Sequence, residues 1–267
     1  MRFDKDYLIE LELDSHFAMR AVAAQTLAPV ARSTTASVAT TAPIVIARPT
    51  PTTTIVAKAA SPEPVVIDPA RAATIAALTL KELNDSANDC QACVLCKGRK
   101  QAVVGFGEAT APWLFVGEAP GTEEDDTGEP FVGQAGKLLD QMIKALGLTR
   151  GKDVYLTNVV KCRAPGNRPP QLDEVSSCAP YLDRQIDLLK PKMILALGKT
   201  AIARLAGVDD TLNNLRGKVH TYRGIPVVAT FHPAYLLLRM PEKLKAWEDL
   251  TFARREFNKQ ISSSSTL

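Results

Sequence analysis

Between Gly117 and Gly136 the chain reads GEAPGTEEDDTGEPFVGQAG, and the first thirteen of these residues carry six carboxylates, Glu118, Glu123, Glu124, Asp125, Asp126 and Glu129. A carboxylate held in place can orient a water or stabilise developing positive charge. Six of them facing a phosphate would repel it, so most must look elsewhere. Glu123, Asp126 and Glu129 are expected to be solvated or to favour the N-terminal end of the following helix. Glu118 differs, because it directly follows the apolar run WLFVG and precedes Ala-Pro-Gly, which restricts the backbone. The glycines of the stretch allow close backbone approach, and Phe131 after Pro130 offers a planar apolar surface or an ordinary core ring.

The cysteines form the second constellation. Cys90 and Cys93 have the C-x2-C spacing of metal ligands, whereas Cys162 and Cys178 stand 16 positions apart, too wide for a local zinc knuckle. Four thiolates from two distant segments would pin the start of the domain to the loop after its second strand. Spacing alone leaves zinc and an iron-sulfur cluster both open. Cys96 extends the first pair to CxxCxxC, as in a ferredoxin run. The C-x3-C-P continuation is absent, so Cys96 is read as the spare thiol.

Four short apolar runs can position these groups: WLFVG ending at Gly117, VYLTNVV from Val154, MILALG ending at Gly198, and PVVATF ending at Phe231. Helical patterns lie among them, beginning at Lys137 with Leu138, Leu139, Met142, Ile143 and Leu146 on one face, spanning Leu172 to Leu189, and beginning again at Lys199. Strands alternating with helices predict a parallel sheet covered on both faces, with sites beyond the carboxyl ends of the strands. Glu118, Asn158, the Gly198-Lys199-Thr200 triplet and His232 all fall at such ends. Asn158 or His232 alone would read as a cap or a turn residue; together they read as a site. The triplet is not a phosphate loop, because Met193 stands where the first glycine of GxxxxGK[ST] belongs.

Composition bounds the rest. The 267 residues, 46% hydrophobic and 23% charged, suffice for one full core with appendages. Residues 1–26 are expected to be a helical segment and 27–70 an Ala/Thr/Pro-rich linker without aromatic residues. The globular domain is placed at 71–260, with a disordered tail at 261–267. No apolar run approaches the roughly 18 to 20 residues that span a bilayer, and the acid-containing N-terminus has no signal core. The expected location is the cytoplasm, where disulfides rarely persist and metal or cluster binding is the better reading of the thiols. A net charge of +3 permits a polyanionic partner without implying one.

Taken together, GEAPGTEEDDTGEPFVGQAGKLLD, TNVVKCRAPGNR and FHPAYLL resemble the family 4 uracil-DNA glycosylases, over about residues 84–257. The resemblance implies a three-layer α/β/α fold around a four-stranded parallel sheet, with a 4Fe-4S cluster on Cys90, Cys93, Cys162 and Cys178. It implies a monomer that takes uracil out of double- or single-stranded DNA and hydrolyses its N-glycosidic bond. Ala119, Phe131 and Asn158 would then bind the base, Phe131 by stacking and Asn158 through its amide. His232 would stabilise charge growing on uracil, and Glu118, with Glu124 as second candidate, would stabilise the sugar cation or position the water. Lys161, Arg163, Arg168 and Arg239 would meet phosphates, and Tyr235, Leu236 and Leu237 would form a wedge in the duplex.

The chain departs from that family where it has Glu129 before PFVG and Gln134 after it, positions that are commonly basic, which bears on DNA affinity before chemistry. A relative of the family bonds covalently to uracil through a histidine in a basic insertion. Here GNR is followed by PPQLDEVSSC, with neither, which favours hydrolysis. Two other classes remain as alternatives: a non-catalytic DNA-binding or polymerase-associated module keeping the fold and cluster, and a cysteine-ligated electron-transfer protein. The second would have no use for the non-cysteine rim.

Overall fold

The structure is a computed structural model and describes residues 68–264. The expected N-terminal helix and nearly all of the expected linker lie outside the described residues. Helix begins at Pro69, inside the span expected to be linker, and the last helix runs to Ser264, into the span expected to be tail.

In chain order the elements are α1 (Pro69–Ala77), α2 (Leu80–Asp89), β1 (Trp113–Gly117), α3 (Thr122–Thr127), α4 (Gln134–Ala145), β2 (Val154–Asn158) and α5 (Leu172–Leu189). There follow β3 (Met193–Leu197), α6 (Lys199–Ala206), α7 (Leu212–Leu215), β4 (Val219–Tyr222), β5 (Ile225–Thr230), α8 (Pro233–Leu238) and α9 (Lys243–Ser264). The four apolar runs are the four parallel strands, in the order β2-β1-β3-β5. The sheet has a fifth strand that the sequence reading did not include, because β4 pairs antiparallel with β5 at the edge. Its signal is short: four residues, VHTY, joined to β5 through Arg223 and Gly224, both with positive φ (48° and 80°), as a two-residue hairpin turn requires. The acidic stretch contains the short helix α3.

Alternation along the strands divides the core. Leu114, Val116, Ile194, Ala196, Val227 and Ala229 face one side with residues of α1, α2, α5 and α6. Trp113, Phe115, Leu156, Leu195 and Val228 face the other with α4, α8 and α9. Strands buried on both faces explain why the runs read as continuously apolar. Because β1 connects to β2 on one side and the chain then crosses to β3 on the other, the sheet has a switch point at β1, beside which clefts open at the carboxyl ends.

The register aligns those ends. Gly117 lies opposite Asn158, and Leu197 opposite Thr230. On the second face Trp113, fully buried, packs on Phe257 of α9 with ring centroids 4.6 Å apart. Replacing Phe257 with Ala is expected to destabilise the protein by about 3–5 kcal/mol. Chemical denaturation followed by far-UV circular dichroism measures it.

Candidate active site

A cleft of about 810 Å³ opens at the carboxyl rim of the sheet, lined among others by Glu118, Ala119, Phe131, Asn158, His232 and Tyr235. Gly117 brings the first of these together. A Cβ at Gly117 would lie 2.4 Å from Asn158 Oδ1 and 2.5 Å from Phe131 Cζ, so only glycine lets the amide and the ring converge on the strand end.

Asn158 is 1% exposed, and its Oδ1 has no hydrogen-bond partner. A buried amide oxygen left unpaired costs on the order of 1–3 kcal/mol, and a ligand donor would relieve that cost. Phe131 is buried with φ of 58°, a left-handed conformation uncommon for an aromatic residue. Its ring lies 6.0 Å from that of His232.

His232 caps α8 and accepts a hydrogen bond at Nδ1 from the Ala234 N–H at 3.2 Å. An Nδ1 that accepts carries no proton, so the proton of a neutral ring sits on Nε2. That Nε2 is buried without a partner. Burial lowers the imidazole pKa from 6.5 to about 4, against a smaller opposing pull from Glu124, so the ring is neutral at physiological pH. Glu118, just beyond β1, accepts a hydrogen bond from the Thr200 hydroxyl of α6. Within the glycine-lysine-threonine triplet it is Thr200 that holds the carboxylate, while Lys199 pairs with Asp209.

Other expected residues are placed differently. Both oxygens of buried Glu124 are taken by backbone: Oε2 accepts from Gly121 N at 3.0 Å, and Oε1 from Val132 N at 3.0 Å and Gly133 N at 3.1 Å. It organises the loop, and it also lines the cleft, with one acceptor site of Oε2 left open. Lys161 is 1% exposed and donates to Thr157 Oγ1 (2.7 Å), the Asn158 carbonyl (2.7 Å) and Gln185 Oε1 (2.6 Å). It cannot meet a phosphate, and burial lowers its pKa to about 8. Leu236 is 1% exposed in the core of the second face, so the apolar edge of α8 is Leu237 with Leu238, which is 82% exposed. Sequence reasoning passed over Leu238; the helical step from buried Leu236 puts the next two leucines outside.

Tyr235 is stacked on Phe231 with centroids 5.4 Å apart, and forms a wall of the cleft while keeping an exposed edge. Arg168 lines the cleft, but its fork is closed on Glu174 at 2.8 and 2.6 Å. This pairing holds the Glu174 carboxyl below its ordinary pKa. Arg163 donates to Asn167 Oδ1 at 2.7 Å, and Arg239 is exposed.

On the first face, behind β2, Cys90, Cys93, Cys96, Cys162 and Cys178 line one small cavity. Arg99 Nη1 donates to Cys162 Sγ at 2.7 Å, Arg71 Nη2 to Cys90 Sγ at 3.4 Å, and the Lys161 backbone N–H to Cys178 Sγ at 3.3 Å. Burial pushes the Cys178 thiol up to about 12 and also raises Cys162. Among the described residues no group of three or more His, Cys, Asp or Glu closes on a single-ion position. The donor set, several sulfurs from both segments with cationic hydrogen-bond donors against them, has the chemistry of a thiolate-ligated metal or cluster site.

The geometry has counterparts in known proteins. The sequence profile of the uracil DNA glycosylase superfamily matches residues 104–251. A type-4 uracil-DNA glycosylase of Sulfurisphaera tokodaii is 45% identical over 168 residues, 60% of this chain and 76% of that protein. One from Pyrobaculum aerophilum is 44% identical over 60% of this chain and 85% of its own length. One from Thermotoga maritima is 40% identical over 67% of this chain and 94% of its own length. The profile spans the sheet and its carboxyl rim, and the chain belongs to the uracil DNA glycosylase superfamily, with its type-4 members.

Proposed function

We propose that the protein excises uracil from DNA by hydrolysing the N-glycosidic bond, leaving an abasic site that starts base-excision repair. The observation that carries this reading is the buried, unpartnered Asn158 Oδ1 beside the Phe131 ring, across a cleft from the unpartnered Nε2 of a neutral histidine. A pyrimidine stacked on Phe131 would present N3–H to Asn158 Oδ1 and O4 to the amide NH2. Cytosine has the opposite polarity at both positions and would leave buried polar groups unpaired, a basis for strong rejection. A target in duplex DNA must first leave the stack, at a cost of a few kcal/mol.

As the bond breaks, negative charge grows on uracil O2 and the sugar becomes cationic. His232 Nε2–H donates to O2; being already neutral, it has no proton to lose before it acts. Glu118, anchored by Thr200, stabilises the sugar cation or orients the water. Arg163 and Arg239 are the remaining candidates for phosphate contact, and Leu237 and Leu238 for the duplex wedge. Cys90, Cys93, Cys162 and Cys178 would hold a 4Fe-4S cluster, which would cross-link the Cys90 segment to the loop after β2 and to α5. Among the described residues no helix is long and apolar enough to cross a membrane, and the proposed place of action is DNA in the cytoplasm.

Asn158→Ala is expected to lower single-turnover uracil release from a labelled oligonucleotide by on the order of 10²- to 10³-fold. Wild-type rates in that variant would remove Asn158 from the mechanism, and an inactive wild-type protein with its cluster intact would favour the non-catalytic DNA-binding reading. Cys162→Ala should lose the visible absorbance of the cluster in freshly purified protein; an unchanged spectrum would refute its role as a ligand.

The histidine gives a pH prediction with a definite sign. Its folded pKa of about 4 lies below the ordinary 6.5, so between those values the unfolded chain takes up a proton that the folded protein refuses. Its contribution to stability therefore falls as pH drops from 6.5 toward 4, while its hydrogen-bonding form persists to about 4. The profile of kcat/KM should show no inflection near 6.5 that disappears on His232→Gln. A kcat/KM that falls as pH rises through 6.5, and no longer does so in His232→Gln, would mean that the ring works as a cation; a fall on the acid side would mean that its pKa is not lowered.

A further inference from the structure

Arg150 lies between α4 and β2 with its side chain 18% exposed. Its Nη1 donates to the Phe131 carbonyl at 3.1 Å and to Asp140 Oδ1 at 2.9 Å. Its Nη2 donates to the Pro130 carbonyl at 2.6 Å and to Glu129 Oε1 at 2.8 Å. Below it the Phe106 ring lies 5.3 Å from the guanidinium carbon. Every polar partner belongs to the segment carrying Phe131 or to α4, which follows it.

We propose that Arg150 is a positioning residue for base recognition: it fixes the backbone conformation of Phe131 and so sets the ring on which uracil stacks. The inference rests on the stacking role given to Phe131 above. The carbonyls of residues 130 and 131 belong to the two peptide planes that flank the Phe131 Cα. The relative orientation of those planes is φ and ψ of Phe131, so a group that holds both carbonyls holds both angles. Phe131 needs such a group, because its φ of 58° is one that side chains with a Cβ disfavour. The planar guanidinium can grip two carbonyls in fixed relation; an ammonium on a flexible stem cannot.

The rest of the surroundings closes the clamp. Glu129 and Asp140 take the other donors of the fork and prevent it from turning away. This gives Glu129 a use at a position where the family resemblance leads one to expect a basic side chain, which would repel Arg150. Gly136 completes the seat, since a Cβ there would lie 1.8 Å from the Phe131 carbonyl oxygen. On the far side the ring rests against Gly117, one residue from Glu118. A shift of Phe131 therefore moves the stacking plane relative to both Asn158 and His232.

A double-mutant cycle tests this. Wild type, Arg150→Gln, Phe131→Ala and the double variant are compared for kcat/KM of uracil release, with melting curves run in parallel. Arg150→Gln is expected to lower kcat/KM by on the order of 10- to 100-fold when Phe131 is present. It should cost nothing further in the Phe131→Ala background, because the ring it positions is gone. Equal losses in both backgrounds, or no loss beside Phe131, overturn the proposal. If Arg150→Gln unfolds, Arg150→Lys keeps the charge, loses the two-carbonyl grip and runs the same cycle.

A wild-type protein that releases no uracil would overturn the glycosylase reading instead, and the positioning claim is then decided by structure. Crystals of the Arg150 variant should show Phe131 out of the positive-φ region. Retention of φ and ring position overturns the claim whatever the activity.

Discussion

The whole rim depends on the missing side chain at Gly117. The parallel register sets this residue opposite Asn158, and the acidic segment folds back to lay Phe131 on the same spot. With a Cβ in between, the amide and the ring could not share one face of the cleft, and Glu118 would be displaced with the strand end. Sheet packing supplies the rigidity: β1 is buried along its full length and flanked by parallel strands on both sides. A site built on such a strand end needs no movement to place its groups relative to one another.

The concentration of carboxylates after β1 has a resolved physical account. Glu118 is tied to Thr200, and Glu124 satisfies three backbone N–H groups. Asp125 accepts from the Lys100 N–H at 2.9 and 3.1 Å, and Asp126 pairs with the Lys100 ammonium. Glu129 pairs with Arg150. Most of the negative charge is therefore met by partners within the chain, two of the acids buried and two paired at the surface, and it folds a glycine-rich segment too short to build a core of its own. The same economy explains Lys161, whose ammonium braces the carbonyl of Asn158 while its backbone N–H meets Cys178. One residue thus touches both the Asn158 strand end and the sulfur cavity.

Much of this was legible in the sequence. Continuous apolar runs ending in Glu118, Asn158, Gly198 and Phe231-His232 mark strands buried on both faces, and the rule for carboxyl ends then gathers the polar residues. What could not be read was direction. A lysine next to a cysteine in TNVVKCR looks like a phosphate contact; only the packing of Gln185 and Thr157 around it shows that it points inward. Likewise three leucines in a row do not say which one is buried, because that depends on where α8 leaves the sheet. Arg150 gave no signal, since its partners are two backbone carbonyls, Asp140, and Glu129, which read as solvated. The edge strand β4 was missed because it is four residues long and partly exposed, below the length at which alternation separates from chance.

The neutral state of His232 has a consequence for ionic strength. A charged imidazolium in the cleft would attract DNA phosphates and take part in the release of condensed counterions when DNA binds. An uncharged donor does neither, and in the proposed mechanism it interacts strongly only with charge that forms during the reaction. If Arg163 and Arg239 meet phosphates as proposed, capture of DNA weakens as salt rises while the bond-breaking step is left largely untouched. On that reading, salt separates finding the lesion from removing it.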